Sequence, residues 1–275
     1  MPTLDRPTAL TPVAAHEENP ERTVVGRLDA ILACFDGGDH VLSLSEISHR
    51  VGLAKSTVHR LADQLCSVGW LQRKSGGYRI GLKLLDLGGV ALQRHSLRDM
   101  AYRHLYPMAL RTGLAVQLAI LDGPDVVYLE RIVMSRFGPP TRVGGRQPAY
   151  CTALGKAMLA FEDEATQRTV LADLPRRTEH TITDPRSLRA EFDAIARTEI
   201  AYDREESFVG LACVAAPIRR CGRAIGAVSV SGPVERLRSS AIAREVRDTA
   251  LAVGAGHPAP TIRAVPAVRA VATAR

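Results

Sequence analysis

Two apolar helical patterns separated by a glycine constrain the fold of this chain more than any other feature. Ser43 to Glu46 form a capping-box pattern, in which the Ser43 side chain bonds the Glu46 backbone and Glu46 bonds Ser43 in return. This box begins a short helix whose inward residues are Leu44, Ile47 and Val51. Gly52 ends that helix in a tight turn, and the next helix has its apolar side at Val58, Leu61, Ala62 and Leu65. The pattern predicts helix, turn, helix.

The flanking segments extend this unit on both sides. Apolar residues from Val24 to Phe35 recur at helical spacing and stop at Gly37-Gly38, which predicts a preceding helix. Trp70 to Arg73, a turn over 74–77 and Tyr78 to Gly81 are typical of a small β-hairpin. We therefore expect a winged helix-turn-helix domain over residues 23–81, followed by a leucine-rich linker helix over 82–96.

The pattern of apolar residues changes over 97–256, where it favours an α+β domain. Two further hairpins are expected, 115–121 with 126–133, and 211–218 with 224–231. Helical patterns lie around these strands, at 97–108, 153–161, from 183 onward and at 239–253. The pattern predicts an antiparallel sheet covered by helices. Segments 1–22 and 257–275 contain several prolines and few large apolar residues, so we expect a flexible leader and a flexible tail.

Charge is concentrated around the second helix and the hairpin. The 275 residues carry a formal net charge of +7. Residues 23–49 contain one basic and four acidic side chains, a net charge of −3, whereas residues 50–79 contain six basic and one acidic, a net charge of +5. Such clustering is typical of a nucleic-acid surface, although a solvated basic surface has the same composition.

Composition also excludes several classes of protein. The chain is 46% hydrophobic and 24% charged, which is not the composition of a collagen-like, wholly disordered or coiled-coil chain. The longest uncharged apolar run, Phe208 to Ile218, has 11 residues, short of the roughly 18 to 20 that a membrane helix needs. The five cysteines are scattered without a C-x-x-C pair, which predicts reduced thiols, no disulfide framework and no zinc site. With no secretory signal pattern, we expect a cytoplasmic protein without membrane contact.

Polar residues around the second helix and on the hairpin form a candidate DNA-reading surface. In a winged helix-turn-helix, one side of the second helix is buried while the other presents polar and basic side chains to the duplex. Serine and threonine donate to phosphate or base, arginine suits guanine, and glutamine suits adenine. The candidates are Lys55, Ser56, Thr57, His59, Arg60 and Gln64 on the helix, with Arg73, Lys74 and Arg79 as backbone contacts on the wing. The alternative is a small three-helix domain whose polar face is merely solvated.

Several motifs in order resemble one known family. Residues 44–61, LSEISHRVGLAKSTVHRL, resemble the helix-turn-helix of IclR-type transcriptional regulators, and residues 71–87 resemble their wing and linker. Residues 148–160, 201–218 and 226–233 are similar to signatures of their effector domain, so the resemblance runs from about Thr23 to Gly254. The chain departs from the family pattern at Ala54, where proline is frequent, at Gln147, where an aliphatic residue is usual, and at Glu199, where glycine is usual. Ala54 would loosen the helix start, and Gln147 would change the polarity of the pocket.

The resemblance implies a ligand-responsive DNA-binding regulator. It implies a homodimer or a dimer of dimers that binds a palindromic double-stranded operator, and a GAF/PAS-like effector domain that binds a small carboxylated or aromatic metabolite. Repression is the expected output, activation of a catabolic operon uses the same parts, and no cofactor is implied. The pocket residues that the resemblance assigns are Thr152, Ala153, Leu154, Gly155, Asp203, Leu211, Cys213, Ser229 and Ser231.

These pocket residue types have both a functional and a purely structural interpretation. Backbone amides at a helix start bind anions, and serine hydroxyls can complete the hydrogen bonding of a carboxylate. Equally, Thr152 could be only an N-cap, and Ser229 and Ser231 could merely share one face of a strand.

An enzyme and a sensor that works without DNA are the competing classes. Cys213 or Ser229 could be a nucleophile with His104 or His180 as base, and residues 203–206 offer carboxylates. No hydrolase, metalloprotease or phosphate-loop spacing joins these groups, so no catalytic or metal residue is predicted. We expect the charged run 203–206 to be a solvated turn and Cys213 to be a packed thiol. The basic cluster over 50–79 argues against a sensor that acts only through a protein partner.

Overall fold

The computed structural model describes residues 23–37, 41–93, 96–134 and 138–256. The chain separates into two compact units, Met1–Val90 and Ala91–Arg275, with the boundary inside the predicted linker helix. The expected leader, 1–22, and tail, 257–275, lie outside the described residues. The domain limits drawn from the sequence stay a prediction.

The first unit is a helix-turn-helix followed by a hairpin. Its elements are α1 (Val24–Ala33), α2 (Leu44–Val51), α3 (Lys55–Ser67), β1 (Leu71–Lys74) and β2 (Gly77–Ile80), with a 3₁₀ turn over Cys34–Gly37, and α4 (Leu82–Gln93) begins in this unit and crosses its boundary. The expected capping box begins α2: the Ser43 N–H donates to the Glu46 carboxylate at 2.7 Å, and the Glu46 N–H donates to Ser43 Oγ at 3.2 Å. Gly52 ends α2 with a φ of 66°, a left-handed conformation that glycine adopts without steric penalty.

One core holds α1, α2, α3 and the hairpin together. It is formed by Ile31, Leu42, Ile47, Val58, Leu61, Ala62, Leu65, Leu71 and Tyr78. Two details differ from the sequence expectation. Val24 is 60% exposed although its spacing placed it in the apolar stripe. Lys74 and Gly77 belong to the strands and not to the turn, because Ser75 and Gly76 suffice to reverse the chain.

The second unit is a six-stranded antiparallel sheet with helices on both faces. The strands are β3 (Ala115–Asp122), β4 (Asp125–Ile132), β5 (Arg146–Pro148), β6 (Ala201–Arg204), β7 (Ala212–Arg220) and β8 (Arg223–Gly232). Their order in the sheet is β5-β4-β3-β8-β7-β6. The helices are α5 (Ser96–Thr112), α6 (Ala153–Leu159), α7 (Glu164–Leu171), α8 (Pro185–Thr198) and α9 (Ser240–Gly256). The α+β architecture expected from the sequence is confirmed.

The two faces of this sheet have different side chains. Alternate residues of a strand point to opposite faces. In β8, Val228 and Val230 join the aliphatic core with α5 and α9, while Ser229 and Ser231 lie on the other face. That second face has alanines at Ala119, Ala201, Ala215 and Ala227, which belong to the core containing α6 and α8. Small side chains allow α6 to approach the sheet closely.

The sequence missed three elements of this unit. β5, β6 and α7 were not predicted, and residues 203–204, expected in a solvated turn, belong to β6. Asp203 and Glu206 are 1% and 2% exposed, so the expectation of a solvated turn was wrong for these two residues. The burial of Asp203 follows from the pairing of β6 with β7, which is not visible in local charge, and Glu206 is buried against Lys156.

The backbone conformation of Glu199 explains why glycine is usual at this position in the family that the sequence resembles. It ends α8 with a φ of 56°, in the left-handed region where any side chain is strained. Its carboxylate forms an ion pair with Arg219 on β7.

No helix in the described ranges is both long and apolar enough to cross a bilayer. The five cysteines are free thiols.

Candidate functional site

The outward side of α3 is exposed and polar. Val58, Leu61, Ala62 and Leu65 are buried against the rest of the first unit. The opposite side leaves Lys55, Ser56, His59, Arg60 and Gln64 exposed, while Thr57 is half-buried. The helix therefore has the division of sides that insertion into a major groove needs.

Ala54 does not disrupt the start of α3. It provides no side-chain cap, but its carbonyl accepts hydrogen bonds from the Thr57 and Val58 N–H groups at 2.9 and 3.0 Å. Its φ of −59° is also close to the value that a proline ring would impose there. The helix begins at Lys55 without the proline that is frequent in the family.

The three candidate cations of the wing differ in their surroundings. The Arg73 guanidinium pairs with Asp63 on α3 and lies 5.4 Å from the centroid of the Tyr78 ring. Arg79 donates twice to Gln72 Oε1 across the hairpin, from Nε at 2.9 Å and from Nη2 at 2.6 Å. Lys74 is exposed beside the turn. The sequence could not show that two of these cations have protein partners.

A small cavity on the alanine face of the sheet gathers most of the expected effector residues. It is lined by seven of the nine predicted residues, Thr152, Ala153, Leu154, Asp203, Leu211, Cys213 and Ser229. Its volume is about 10 Å³, which is room for about one water molecule. The described residues that line it include no lysine or arginine.

Strand register explains how distant residues converge there. Ser231 of β8 pairs with Cys213 of β7, which pairs with Asp203 of β6, so the three side chains form one row on the same face. In the next row, Gln117 of β3 pairs with Ser229 of β8. Gln117 Oε1 accepts hydrogen bonds from Ser231 at 2.8 Å and Ser229 at 3.4 Å, so these serines are buried hydrogen-bonded groups and not merely residues on one face.

Asp203 is held by the chain that follows it. Its Oδ1 accepts from the backbone N–H of Glu206 at 2.7 Å, and its Oδ2 accepts from the Ser207 hydroxyl at 2.5 Å. Burial raises the pKa of Asp203 to about 6, against the lowering effect of the Ser207 hydrogen bond. The cavity therefore contains a carboxyl group that changes charge near neutral pH.

Two predicted residues support the cavity without lining it. Gly155 lies against Ala149, whose carbonyl oxygen would be 2.2 Å from an added Cβ, so α6 packs closer than any side chain permits. Ser231 lies behind Cys213, with its Oγ 3.1 Å from Sγ. Thr152 lines the cavity and is also an N-cap, because its Oγ1 accepts from the Gly155 N–H at 3.1 Å.

Sequence reasoning missed six lining residues, and one of its expectations was misplaced. The missed residues are Gln117, Tyr128, Pro139, Thr141, Ser207 and Phe208. The one available signal was Gln117 itself, a single polar residue within the apolar run from Ala115 to Leu121. Gln147, expected to alter pocket polarity, pairs with Val126 at the sheet edge and is not among the residues lining this cavity.

A buried ion pair fixes the loop after Asp203 to α6. Lys156 is fully buried, and its Nζ lies 2.6 Å from Glu206 and 3.1 Å from Glu191. Burial raises the pKa of Glu206 although the Lys156 ammonium favours its charged form. The loop that carries Ser207 and Phe208 is thereby joined to the helix that begins at the cavity.

The groups considered for catalysis are not assembled here. Burial raises the pKa of the Cys213 thiol well above its usual range, which disfavours the nucleophilic thiolate. Neither His104 nor His180 lines the cavity. No group of three or more metal-ligating side chains occurs in the part of the chain that the structure describes.

Comparison with known proteins agrees with this arrangement. Residues 24–75 match the model of the IclR helix-turn-helix domain, and residues 89–255 match that of the bacterial transcriptional regulator IclR C-terminal domain. The chain is 34% identical over 248 residues to the glycerol operon regulatory protein of Streptomyces coelicolor, covering 84% of this chain and 96% of the relative. It is 31% identical over 223 residues to the Pca regulon regulatory protein of Pseudomonas putida, covering 79% and 77%.

Solved structures show the same fold. An IclR homolog from Microbacterium hydrocarbonoxydans in complex with 4-hydroxybenzoate aligns with a TM-score of 0.75 and 28% identity, covering 85% of this chain and 98% of that one. The Thermotoga maritima IclR aligns with a TM-score of 0.65 and 29% identity, covering 84% and 97%. The relatives are DNA-binding regulators and not enzymes. The chain therefore belongs to the IclR family of ligand-responsive transcriptional regulators.

Proposed function

We propose that this chain represses transcription by binding a palindromic operator as a dimer or a dimer of dimers, and that a small carboxylated or aromatic metabolite controls this binding. Residues 23–81 would read the DNA, 82–96 would link, and 97–256 would bind the effector. The single observation that supports DNA binding best is the exposed polar side of α3 opposite its buried apolar side. Because an operator lies in the bacterial cytoplasm, we place the protein there.

Base reading is assigned to α3, and backbone binding is assigned to the wing and to Lys55 at the start of α3. Ser56 and Arg60 lie one turn apart on the exposed side of α3, within reach of base edges. Lys55 and Lys74 would contact phosphates, and such contacts make affinity fall steeply as salt rises.

A double variant tests the recognition surface. Operators would first be selected from a random duplex pool with the wild-type protein. We expect Ser56→Ala with Arg60→Ala to lose about 1–3 kcal/mol of specific affinity for each base contact removed, while affinity for mixed-sequence duplex falls less, because only one positive charge is removed. The matched control is Ser67→Ala, which lies at the far end of the same helix. Unchanged binding to the selected operator would contradict the assignment of α3.

The effector site is assigned to the cavity around Asp203. Tyr128, Phe208 and Leu211 offer apolar contact, and Thr152, Asp203 and Ser229 offer hydrogen bonds, which suits a small ring or chain bearing oxygens. The relative that carries 4-hydroxybenzoate supports an aromatic acid as the first probe. Because the cavity holds about one water molecule, some of its lining side chains must move for such a molecule to enter.

Thermal-shift measurements test the effector site. A ligand that binds only the folded state raises the melting temperature, so 4-hydroxybenzoate, benzoate and pyruvate would be screened. We expect Asp203→Ala and Ser231→Ala to reduce the shift while leaving DNA affinity in the absence of ligand nearly unchanged. Thr169→Ala, an exposed position on α7, is the control. An undiminished shift in both pocket variants would remove these residues from the site.

Activation of a catabolic operon is the second candidate output, because the same dimer on DNA could recruit polymerase instead of occluding it. A reporter driven by the selected operator separates the two outputs. Deleting the regulator raises expression if it represses and lowers expression if it activates.

A further inference from the structure

The recognition helix, α3, carries one acid on the side assigned to DNA. Asp63 follows Ser56 by seven residues, two helical turns, so both side chains lie on the same exposed side. It is the only acidic residue of α3. A bare carboxylate at this position would repel phosphates, so its surroundings decide what it does.

An arginine and a histidine flank this carboxylate. Asp63 Oδ1 pairs with the Arg73 guanidinium of β1, and Oδ2 lies 3.3 Å from Nδ1 of His59, one turn earlier in α3. Arg73 also lies over the Tyr78 ring, 5.4 Å from its centroid. The arginine at the wing is therefore held between the recognition helix and an aromatic ring of its own hairpin.

This pairing is not needed for folding. The side chains of Arg73 and Asp63 are 57% and 41% exposed, and an ion pair so exposed to water contributes little stability. It does bias where the Arg73 charge is found. A bias of this size changes the population of a free guanidinium by a few-fold, which is enough to alter binding to DNA of any sequence.

We propose that Asp63 is a positioning residue for DNA recognition, which holds Arg73 of the wing against the recognition helix and withholds its charge from nonspecific phosphate binding. The inference rests on the proposed DNA-binding surface. Held in place, Arg73 contacts only a duplex seated in register with α3. Released, it pairs with phosphates of any sequence, so nonspecific affinity rises and sequence preference falls.

Salt-dependent binding to a mixed-sequence duplex tests the proposal. The variants are Asp63→Asn, Arg73→Gln and the double variant, and Asp29→Asn provides the same change of charge at an exposed position on α1. We expect Asp63→Asn to bind mixed-sequence duplex about 3- to 10-fold tighter at low salt, with a slope of log affinity against log salt steeper by about 0.9 for each added phosphate contact. Adding Arg73→Gln to Asp63→Asn should abolish this gain in affinity. Asp29→Asn should show only the small general effect of removing one negative charge.

A second readout concerns sequence choice. Duplexes enriched from a random pool by the wild type should be enriched less by Asp63→Asn, because nonspecific binding competes with specific binding.

The outcomes separate this proposal from the one it rests on. If the wild type binds no duplex, DNA binding itself is wrong. If the wild type binds, either of two results would show that Asp63 does not position Arg73. The first is that Asp63→Asn gains no more affinity for mixed-sequence duplex than Asp29→Asn does. The second is that the double variant, Asp63→Asn with Arg73→Gln, keeps the gain in affinity. Loss of folded structure in Asp63→Asn, seen by circular dichroism, would make the residue structural and would equally overturn the proposal.

Discussion

Asp203 is a carboxyl group buried in a cavity whose described lining contains no cationic side chain. Its charge is opposed by burial first and by the nearby Glu206 carboxylate, while Ser207 and Lys156 favour the ionised form. Burial prevails, and the pKa of Asp203 rises to about 6. An effector that brings its own carboxylate to this cavity would meet less repulsion when Asp203 is protonated.

The raised pKa of Asp203 predicts how stability depends on pH. Below about pH 4 both the folded and the unfolded states hold the proton, whereas between about pH 4 and 6 only the folded state does. The stability from Asp203 is thus present at low pH and is lost as pH rises through about 6, a loss of about 3 kcal/mol for a shift of roughly two pKa units. The side chain introduced by Asp203→Asn does not ionise. The free energy of unfolding of this variant in urea, relative to the wild type, should therefore rise by up to this amount between pH 4.5 and 7.

Burial raises the pKa values of the Cys213 thiol and the Tyr128 hydroxyl, so both groups stay neutral over this pH range in both proteins. A difference in stability that stays constant over the whole pH range would show that Asp203 titrates as it does in an unfolded chain.

At the scale of elements, the start of α6 depends on a glycine. An added Cβ at Gly155 would lie 2.2 Å from the Ala149 carbonyl oxygen and 2.3 Å from its Cα, and these backbone atoms can move only with their segment. Thr152 caps the same turn and lines the cavity, so this close contact also positions the cavity wall.

We expect Gly155→Ala to destabilise the fold by about 1–3 kcal/mol or more, as overpacking does, and to reduce the thermal shift caused by an effector. Gly88→Ala is the matched control, because Gly88 lies in α4 and no atom lies within 4 Å of its added Cβ. Alanine at this position should increase the free energy of unfolding by as much as about 1 kcal/mol, because alanine favours a helix more than glycine does. The midpoints of urea unfolding compare the two variants, and equal effects would show that α6 does not depend on this contact.

At the scale of the whole molecule, α4 has an apolar side that the single chain leaves exposed. Leu82 and Leu85, one turn apart, are 74% and 70% exposed, and α4 has no buried residue among its described positions. Apolar surface of this kind commonly marks an interface. A second copy of the chain is the partner that the proposed dimer provides.

We expect Leu82→Glu with Leu85→Glu to weaken self-association at least about 100-fold, since burial of each leucine contributes about 1.5–3 kcal/mol. Sedimentation equilibrium would then give the mass of one chain at concentrations where the wild type is larger. Lys83→Glu, on a different side of the same helix, is the control for charge. A double variant that associates like the wild type would place the interface elsewhere.

Local patterns in the sequence were sufficient for much of this protein. The buried side of α3 and the order of the hairpins follow from periodicities of 3.6 and 2 residues. The capping box at Ser43 and the turn at Gly52 follow from residue types at fixed positions. Both kinds of signal are readable within a few turns of chain. The family resemblance assigned nine residues to an effector pocket, and seven of them line the cavity.

The tertiary structure decided which distant residues meet. Gln117 faces Ser229 only because β3 lies beside β8, more than a hundred residues away, and Asp203 is buried only because β6 completes the sheet at β7. Arg73 meets Asp63 only because the hairpin folds back beside α3. Side-chain periodicity specifies the face of a strand or helix, but the partner of that face is set by long-range packing, which a local pattern does not encode.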